Sequence, residues 1–297
     1  VDIARDARWG RISEGAGEDP YLGSLVAAAR VRGFQGESLS DPATMAACVK
    51  HFAAYGAPVG GRDYNSVDMS LQTLHEYYLP PYQAAIEAGS ATVMTSFNDL
   101  NGVPATAHKY LLEDVLRKDW GFKGMVVSDW QSIGEMLTHG YVADSLEAGK
   151  KAIEAGTDMD MMADIYLKKI PILIKNKQLD ERVLDQAVRR VLTLKYQLGL
   201  FNNPYLYSDL AREKNDIRST ENLAAAHDIA KKSIVLLKNE NKLLPLSKNI
   251  KKLALIGPLA DNKEDMNGSW SFFGEAQHPV SIAEGIKSKV SATTKIS

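Results

Sequence analysis

The residues Asp129 and Trp130 follow a short apolar run, MVV, at residues 125–127. Such a run is typical of a strand that is buried on both faces, and a buried strand can hold the carboxylate at its end in a fixed position. The tryptophan ring offers a flat apolar surface that can pack against the C–H face of a sugar ring. The two residues therefore indicate carbohydrate chemistry. The alternative is that Asp129 only caps the next helix.

Other side chains with chemical functions fall near the ends of two more predicted strands. Lys50 and His51 lie at the end of one strand, and Met94 and Asn98 lie around the end of the next. In a barrel of parallel strands, the loops at the carboxyl ends build the active site. This convergence predicts a single site. The alternatives are that His51 is a hydrogen-bonded core histidine and that Asn98 belongs to a turn.

Strands and helices alternate along the first two thirds of the chain. Amphipathic helices are predicted from Ser70, before Gly121 and over residues 145–156, and a further helix from Asp180 has the features of the closing helix of a barrel. Because parallel strands need crossover connections, this alternation predicts an α/β fold with a parallel sheet. The strands are predicted at residues 45–52, 91–97, 124–128 and 157–161.

A polar, irregular segment at residues 204–218 separates this region from a second unit. Ser219 is suited to cap a new helix, and the run LALIG at residues 253–257 predicts a buried strand. So few elements cannot bury a core of their own. We therefore expect residues 1–203 to form most of one domain and residues 219–297 to form the start of another, with more chain before and after them.

Composition and charge disfavour several classes of partner. The 297 residues are 45% hydrophobic and 24% charged, with a formal net charge of −2. This balance gives no electrostatic argument for nucleic acid or a membrane surface as a partner. Cys48 is the only cysteine, which excludes an internal disulfide and a thiolate metal cluster. No apolar run is long enough to span a membrane. We expect no metal and no cofactor.

Seven short motifs, in a fixed order, connect the chain with a known family. Together they resemble the glycoside hydrolase family 3 enzymes, which are retaining exo-acting β-glucosidases and β-xylosidases, and most of all the bacterial periplasmic β-glucosidases. The resemblance implies an α/β fold, a (β/α)8 TIM-like barrel whose first strands precede Val1, followed by the start of an α/β/α sandwich domain. The motifs are RWGR at 8–11, GEDP at 17–20, KHF at 50–52, GGRDYN at 60–65, NDLNGVP at 98–104, KGMVVSDW at 123–130 and GSW at 268–270.

The resemblance also implies roles for individual residues. Asp129 matches the family's nucleophile, which attacks the anomeric carbon and forms a covalent glycosyl-enzyme that water then hydrolyses. Nearby cations such as Lys50 and Arg11 would favour its charged form. Five further residues match positions that bind hydroxyls of the terminal sugar or line its subsite. They are Arg11, Lys50, His51, Met94 and Trp130.

Two departures from the family pattern narrow the expected activity. Phe97 stands where many relatives carry a tyrosine that reaches the nucleophile, so other groups must orient Asp129. The loop after His51 lacks the G-H-G-D-T pattern of the family's N-acetylglucosaminidase branch, which argues for cleavage of glucosides or xylosides.

A retaining mechanism also needs a second carboxyl group. In the family it is a glutamate of the sandwich domain, which we expect beyond Ser297.

We therefore predict a retaining exo-acting β-glycosidase that hydrolyses terminal non-reducing β-D-glucosyl residues of oligosaccharides or aryl β-glucosides. The alternatives are a β-xylosidase of the same family, a non-catalytic sugar-binding barrel, and an aldolase with a Schiff base at Lys50. By resemblance, the protein is periplasmic or secreted, and a homodimer is compatible with the family. Nucleic acid and membrane are not expected as partners.

Overall fold

The computed structural model describes residues 1–268, 270–271 and 279–297, and it divides into two compact units, Val1–Leu210 and Ala211–Ser297. Ser269 of the GSW motif lies outside the described residues. The domain limits expected from the sequence stay a prediction. Among the described residues, no helix is both long enough and apolar enough to cross a membrane.

A parallel sheet lies at the centre of the first unit. The described strands of this unit are β1 (Cys48–Phe52), β2 (Thr92–Thr95), β3 (Asp99–Leu100), β4 (Val103–Pro104) and β5 (Met125–Val127). The sheet has the strand order β1-β2-β5, and the short strands β3 and β4 pair antiparallel with each other. The alternation of strands and helices predicts this parallel pairing, and the structure confirms it. The fourth predicted strand, residues 157–161, is reduced to one parallel bridge between Met159 and Val127.

The register of the sheet decides which side chains face the helices. Val49 pairs with Val93, which pairs with Val126, so the three valines form one row across the sheet. Because successive side chains of a strand point to opposite faces, their neighbours Met94 and Val127 form a row on the other face. The valine row is 0–4% exposed. This row anchors the sheet to the helical layer.

The helices of the first unit begin at residues suited to cap them. Asp19, Asp144 and Asp180 accept backbone N–H groups at the starts of three helices. The helix predicted from Ser70 is broken into an α-helical turn, a π-helical segment (Leu74–Tyr78) and a new helix that starts at Pro80, because proline is tolerated only in a first turn. The α-helices are α1 (Pro20–Gln35), α2 (Leu71–Thr73), α3 (Pro80–Glu87), α4 (Ser132–Glu135), α5 (Ser145–Glu154), α6 (Ile165–Lys175) and α7 (Glu181–Gln197).

The main hydrophobic core fills the space between the valine row and these helices. Leu74 and Tyr82 contribute from the helical segments after β1, and Leu112 and Leu116 come from the π-helical segment Tyr110–Asp119. Each of these side chains is at most 1% exposed. Burying one such side chain contributes about 1.5–3 kcal/mol, so this packing fixes the strands and the loops that leave their carboxyl ends.

A buried carboxylate fastens β5 to the helices as well. Asp158 accepts hydrogen bonds from the backbone N–H of Val126 at 2.8 Å, from Arg117 at 2.9 Å and from Arg190 at 2.7 Å. Its side chain is 1% exposed. A buried charge is tolerated only when it is paired and hydrogen-bonded, and these three donors meet that condition.

The second unit contains few regular elements. Ser219 caps the helix Thr220–Ser233 by accepting the N–H of Asn222, as the sequence predicts. The strand predicted at residues 253–257 is shorter and lies earlier, because only Lys252–Leu253 pairs in parallel with Lys295–Ile296. The remaining elements are α8 (Leu210–Asp216), which lies within the predicted linker, α9 (Thr220–Ser233), β6 (Lys252–Leu253), α10 (Ile282–Lys287) and β7 (Lys295–Ile296).

Candidate active site

The predicted site residues lie at and beyond the carboxyl ends of the parallel strands. His51 belongs to β1 and Met94 to β2, whereas Asp129 and Trp130 follow β5. Arg11 comes from the N-terminal segment, just before a turn of 3-10 helix. Since parallel strands end at the same edge of a sheet, one edge receives residues that are far apart in the sequence.

Asp129 presents two carboxylate oxygens in different surroundings. The residue is 8% exposed, and its Oδ1 accepts a 2.6 Å hydrogen bond from the backbone N–H of Trp130. Its Oδ2 has no hydrogen-bond partner among the described residues and lies 3.5 Å from Nε2 of His51. A buried oxygen without a donor is costly to keep, which marks Oδ2 as an atom available to an incoming group. Helix α4 has no side-chain cap, so Asp129 is not its capping residue.

His51 is buried, and both of its ring nitrogens have neighbours. Nδ1 lies 2.8 Å from Oδ2 of Asp2, and Nε2 lies 3.1 Å from an Nη2 atom of Arg11. The peptide bond between Lys50 and His51 is cis. Asp2 is not predicted from the sequence, because it lies 49 residues before His51 and no spacing rule links the two positions. Only the folded chain brings Asp2 to the site.

Arg11 is a fixed cation at this site. Its Nε and Nη2 atoms donate to the two carboxylate oxygens of Glu14 at 2.7 and 2.8 Å, and its guanidinium lies 5.3 Å from the ring centre of Tyr55. Burial opposes the charged form, but the hydrogen bonds with Glu14 prevail and raise the pKa of Arg11. The two-pronged pairing and the Tyr55 ring beneath the guanidinium carbon hold the guanidinium in place.

The side chains of the other three predicted residues form no hydrogen bond or salt bridge with the Asp129 carboxylate in the described part of the chain. Lys50 is exposed, and its ammonium forms no hydrogen bond or salt bridge with any described residue. Lys50 therefore forms no ion pair with Asp129 that could stabilise the ionised carboxylate in the way the sequence predicts. Met94 is half-buried in β2, next to Val127. Trp130 is 54% exposed, so its indole is open to a ligand while its backbone holds Asp129.

Aromatic side chains support the site from the side of the N-terminal segment. Trp9 is 1% exposed, packs edge-on against Tyr55 and donates its Nε1–H to Asp63 at 2.8 Å. Tyr55 in turn contacts the rings of His51 and Phe97. The RWGR and GGRDYN motifs are thus joined through Trp9 and Asp63, and this joint fixes the loop that carries Arg11. Phe97 contributes packing only, since it has no hydroxyl group to reach Asp129.

Glu135 of α4 is a further acidic group beside the site, and the sequence pattern does not single it out. Burial raises the pKa of its carboxyl group, with His139 opposing and the negative charge of Asp129 adding to the rise. It lies six residues after Asp129 in the sequence, and the two carboxyl groups interact electrostatically. Within the part of the chain that the structure describes, no cluster of three or more His, Cys, Asp or Glu side chains is suited to hold a metal ion.

The two units match two family models. The Glycosyl hydrolase family 3 N terminal domain matches residues 1–194, and the Glycosyl hydrolase family 3 C-terminal domain matches residues 234–297. The first match alone covers more than half of the chain. It includes every residue of the candidate site described above, from Asp2 to Glu135.

Individual relatives agree with these matches. The periplasmic beta-glucosidase of Salmonella typhimurium is 46% identical over 100% of this chain and 39% of its own length. A putative beta-xylosidase of Formosa agariphila is 41% identical over 87% of this chain and 35% of its own length. The crystal structure of a beta-glucosidase from Listeria innocua in complex with gluconolactone is 42% identical, with a TM-score of 0.93 over 100% of this chain and 41% of that one.

The chain therefore spans about two fifths of the length of such relatives. Similarity at this level extends across the parallel sheet, the strand ends that carry His51 and Asp129, and the second unit. On sequence and on structure alike, the chain belongs to glycosyl hydrolase family 3.

Proposed function

We propose that the protein containing this chain is a retaining exo-acting β-glycosidase that hydrolyses terminal non-reducing β-D-glucosyl residues. One observation carries the proposal: Oδ2 of Asp129 is a buried carboxylate oxygen without a hydrogen-bond partner among the described residues, and the imidazole of His51 lies beside it. Such an oxygen suits nucleophilic attack, because its lone pairs are not engaged by a donor.

In this mechanism, Oδ2 of Asp129 attacks the anomeric carbon of the bound sugar as the bond from that carbon to the leaving oxygen breaks. The leaving oxygen takes a proton from a second carboxyl group, and the sugar becomes an ester of Asp129. Water, deprotonated by that second group, then attacks the anomeric carbon and releases the carboxylate. Retaining enzymes place the two carboxyl groups about 5–5.5 Å apart. We assign no described residue to the second role.

The surrounding residues suit recognition of one sugar ring. The guanidinium of Arg11 can donate to sugar hydroxyl groups, and the imidazole of His51 can bind a hydroxyl beside Asp129. Hydrogen bonds of this kind strengthen as the ring approaches an oxocarbenium-like transition state. The exposed indole of Trp130 offers a face for the C–H groups of the ring. We assign Lys50 of β1 and Met94 of β2 to the same subsite, because both lie toward the carboxyl ends of neighbouring strands.

The proposal extends to architecture and location. We place the parallel sheet in a (β/α)8 TIM-like barrel and residues 219–297 in the start of an α/β/α sandwich domain. The support is the βα alternation and the likeness to the Listeria innocua enzyme. A periplasmic or secreted location is supported by the name of the Salmonella typhimurium relative.

A β-xylosidase is the second candidate, because the Formosa agariphila relative is named for that activity. The two sugars differ in the group at C5, which carries a hydroxymethyl in glucose and only hydrogen in xylose. Rates on matched aryl β-glucosides and aryl β-xylosides therefore separate the candidates. A higher kcat/KM on the xyloside would replace the glucosidase proposal by the xylosidase.

The nucleophile is tested with Asp129→Ala in the intact protein and a 2-fluoro glycosyl inactivator. Loss of this carboxylate should lower kcat by at least about 10³-fold, because the covalent route is closed. The inactivator should label the unaltered protein at Asp129, as read by peptide mapping. Asp180→Ala, which removes a capping carboxylate on α7, is the control and should leave turnover unchanged. Full turnover by Asp129→Ala, or labelling of another residue by the inactivator, refutes the assignment of Asp129 as the nucleophile. Sugar binding without hydrolysis by the unaltered protein supports the alternative of a non-catalytic sugar-binding barrel.

A further inference from the structure

The carboxylate of Asp2 lies behind His51, on the side of the ring away from Asp129. Asp2 is 7% exposed, its Oδ2 lies 2.8 Å from Nδ1 of His51, and its Oδ1 accepts the backbone N–H of the same residue at 3.1 Å. The hydroxyl of Tyr82 is 2.6 Å from Oδ1. Asp2 is therefore bound both to the ring and to the backbone of His51.

These contacts decide which ring nitrogen carries the proton. An ionised carboxylate only accepts hydrogen bonds, so the Nδ1 atom beside Asp2 must be the protonated one. A guanidinium only donates, so the Nε2 atom that contacts Arg11 at 3.1 Å must present its lone pair. Both neighbours demand the same neutral form of His51. The hydrogen bond that one nitrogen makes thereby sets the state of the other.

The same neutral form of His51 explains why Oδ2 of Asp129 has no hydrogen-bond donor among the described residues. With its lone pair facing outward, Nε2 has no hydrogen to give to Oδ2 of Asp129, which lies 3.5 Å away. In the other tautomer an Nε2–H group would point toward both Oδ2 and the guanidinium of Arg11. It would donate to the nucleophile and conflict with the arginine N–H.

We propose that Asp2 is a positioning residue that holds His51 with its proton on Nδ1. The single lone pair of Nε2 accepts from Arg11 here and can accept from a sugar hydroxyl only in exchange for that contact. In either case Nε2 gives no hydrogen to Asp129, and Oδ2 keeps its lone pairs for attack. This inference rests on the proposed glycosidase function, which it deepens. Asp2 does not touch the sugar in this arrangement, because it acts through the ring of His51.

Tyr82 strengthens this arrangement. Its side chain is 1% exposed, and its hydroxyl lies 2.6 Å from Oδ1 of Asp2 and 2.5 Å from the backbone oxygen of His51. Burial raises the pKa of Tyr82, and the negative charge of Asp2 raises it further, so the hydroxyl keeps its proton and remains a donor. A donor at this place fixes the Asp2 carboxylate in turn.

The test is Asp2→Asn in the intact protein. The amide oxygen can still accept from the His51 N–H and from Tyr82, but the amide N–H group then faces Nδ1 and drives the proton to Nε2. We expect kcat/KM on an aryl β-glucoside to fall by about 100-fold, mainly through kcat, because the nucleophile gains a hydrogen bond. Nitrogen-15 NMR of ring-labelled histidine should show a protonated Nδ1 in the unaltered protein and a protonated Nε2 in the variant.

Asp158→Asn is the matched control, because it also removes a buried, hydrogen-bonded carboxylate from the same unit. It should lower thermal stability without moving the His51 proton. An Nε2–H tautomer in the unaltered protein overturns the proposal, even if Asp2→Asn does not fold. Unaltered kcat/KM in a folded Asp2→Asn variant overturns it too. If the unaltered protein hydrolyses no glycoside, the proposed function fails, and the NMR result still decides the tautomer by itself.

Discussion

Substitution of Arg11 by lysine tests how the site depends on guanidinium geometry. Lysine keeps the positive charge, but it has a single donor nitrogen in place of a planar fork. The fork of Arg11 reaches both oxygens of Glu14 and Nε2 of His51 at once, and its central carbon lies over the ring of Tyr55. A lysine ammonium cannot satisfy all of these neighbours, so the contact with His51 is the one we expect to be lost.

The size of the effect follows from the contacts that disappear. A hydrogen bond that involves a charged group contributes about 1.5–3 kcal/mol, and every 1.4 kcal/mol or so corresponds to a tenfold change in rate or affinity. Loss of the contact with His51 should therefore lower kcat/KM by about 10- to 100-fold. A rise in KM alone would mean that Arg11 binds substrate and transition state equally, whereas a fall in kcat would mean that it acts in the transition state.

The assay is steady-state hydrolysis of an aryl β-glucoside, with Arg8→Lys as the control from the same RWGR motif. Arg8 forms an analogous two-pronged pair with Asp6, but its side chain is 71% exposed and it does not contact His51. Because exposed ion pairs contribute little, Arg8→Lys should leave both kinetic constants unchanged. Equal kinetics for Arg11→Lys and the unaltered protein would refute the reasoning, since the guanidinium would then have no role that a simple charge cannot fill.

Two further predictions concern stability. Asp158→Asn leaves Arg117 and Arg190 without a buried counter-charge, so it should destabilise the first unit by about 3–5 kcal/mol. The folded fraction of the variant should keep the kcat of the unaltered protein. An unchanged melting temperature would contradict the role of Asp158. Glu135→Gln should change how stability varies with pH. Burial raises the pKa of Glu135 above its ordinary 4.5, so the folded state binds its proton more tightly, and the unaltered protein loses stability as pH rises from 4.5 through the raised value. The glutamine variant lacks this loss and should gain melting temperature relative to the unaltered protein over that window; parallel curves would refute this.

The sheet shows how far apolar pattern alone can predict structure. The run at residues 125–127 and the runs near residues 49 and 93 become β5, β1 and β2, because a strand covered on both faces requires consecutive apolar residues. The run at residues 157–161 also has strand character, but only Met159 pairs. Strand pairing depends on a neighbouring backbone, and a pattern within one segment does not reveal whether the neighbour is in reach.

The sequence by itself determined three of the parallel strands, and its resemblance to the family predicts that Arg11, His51 and Asp129 bind and attack a sugar. Side-chain type and apolar period are properties of a single segment, so they can be read from the sequence without the fold. The tertiary structure alone decided that Asp2 holds His51, that Lys50 makes no ion pair with Asp129, and that Trp9 serves as packing. Those outcomes depend on distances between segments up to tens of residues apart. Such distances are set by the packing of the whole core rather than by any one stretch of chain.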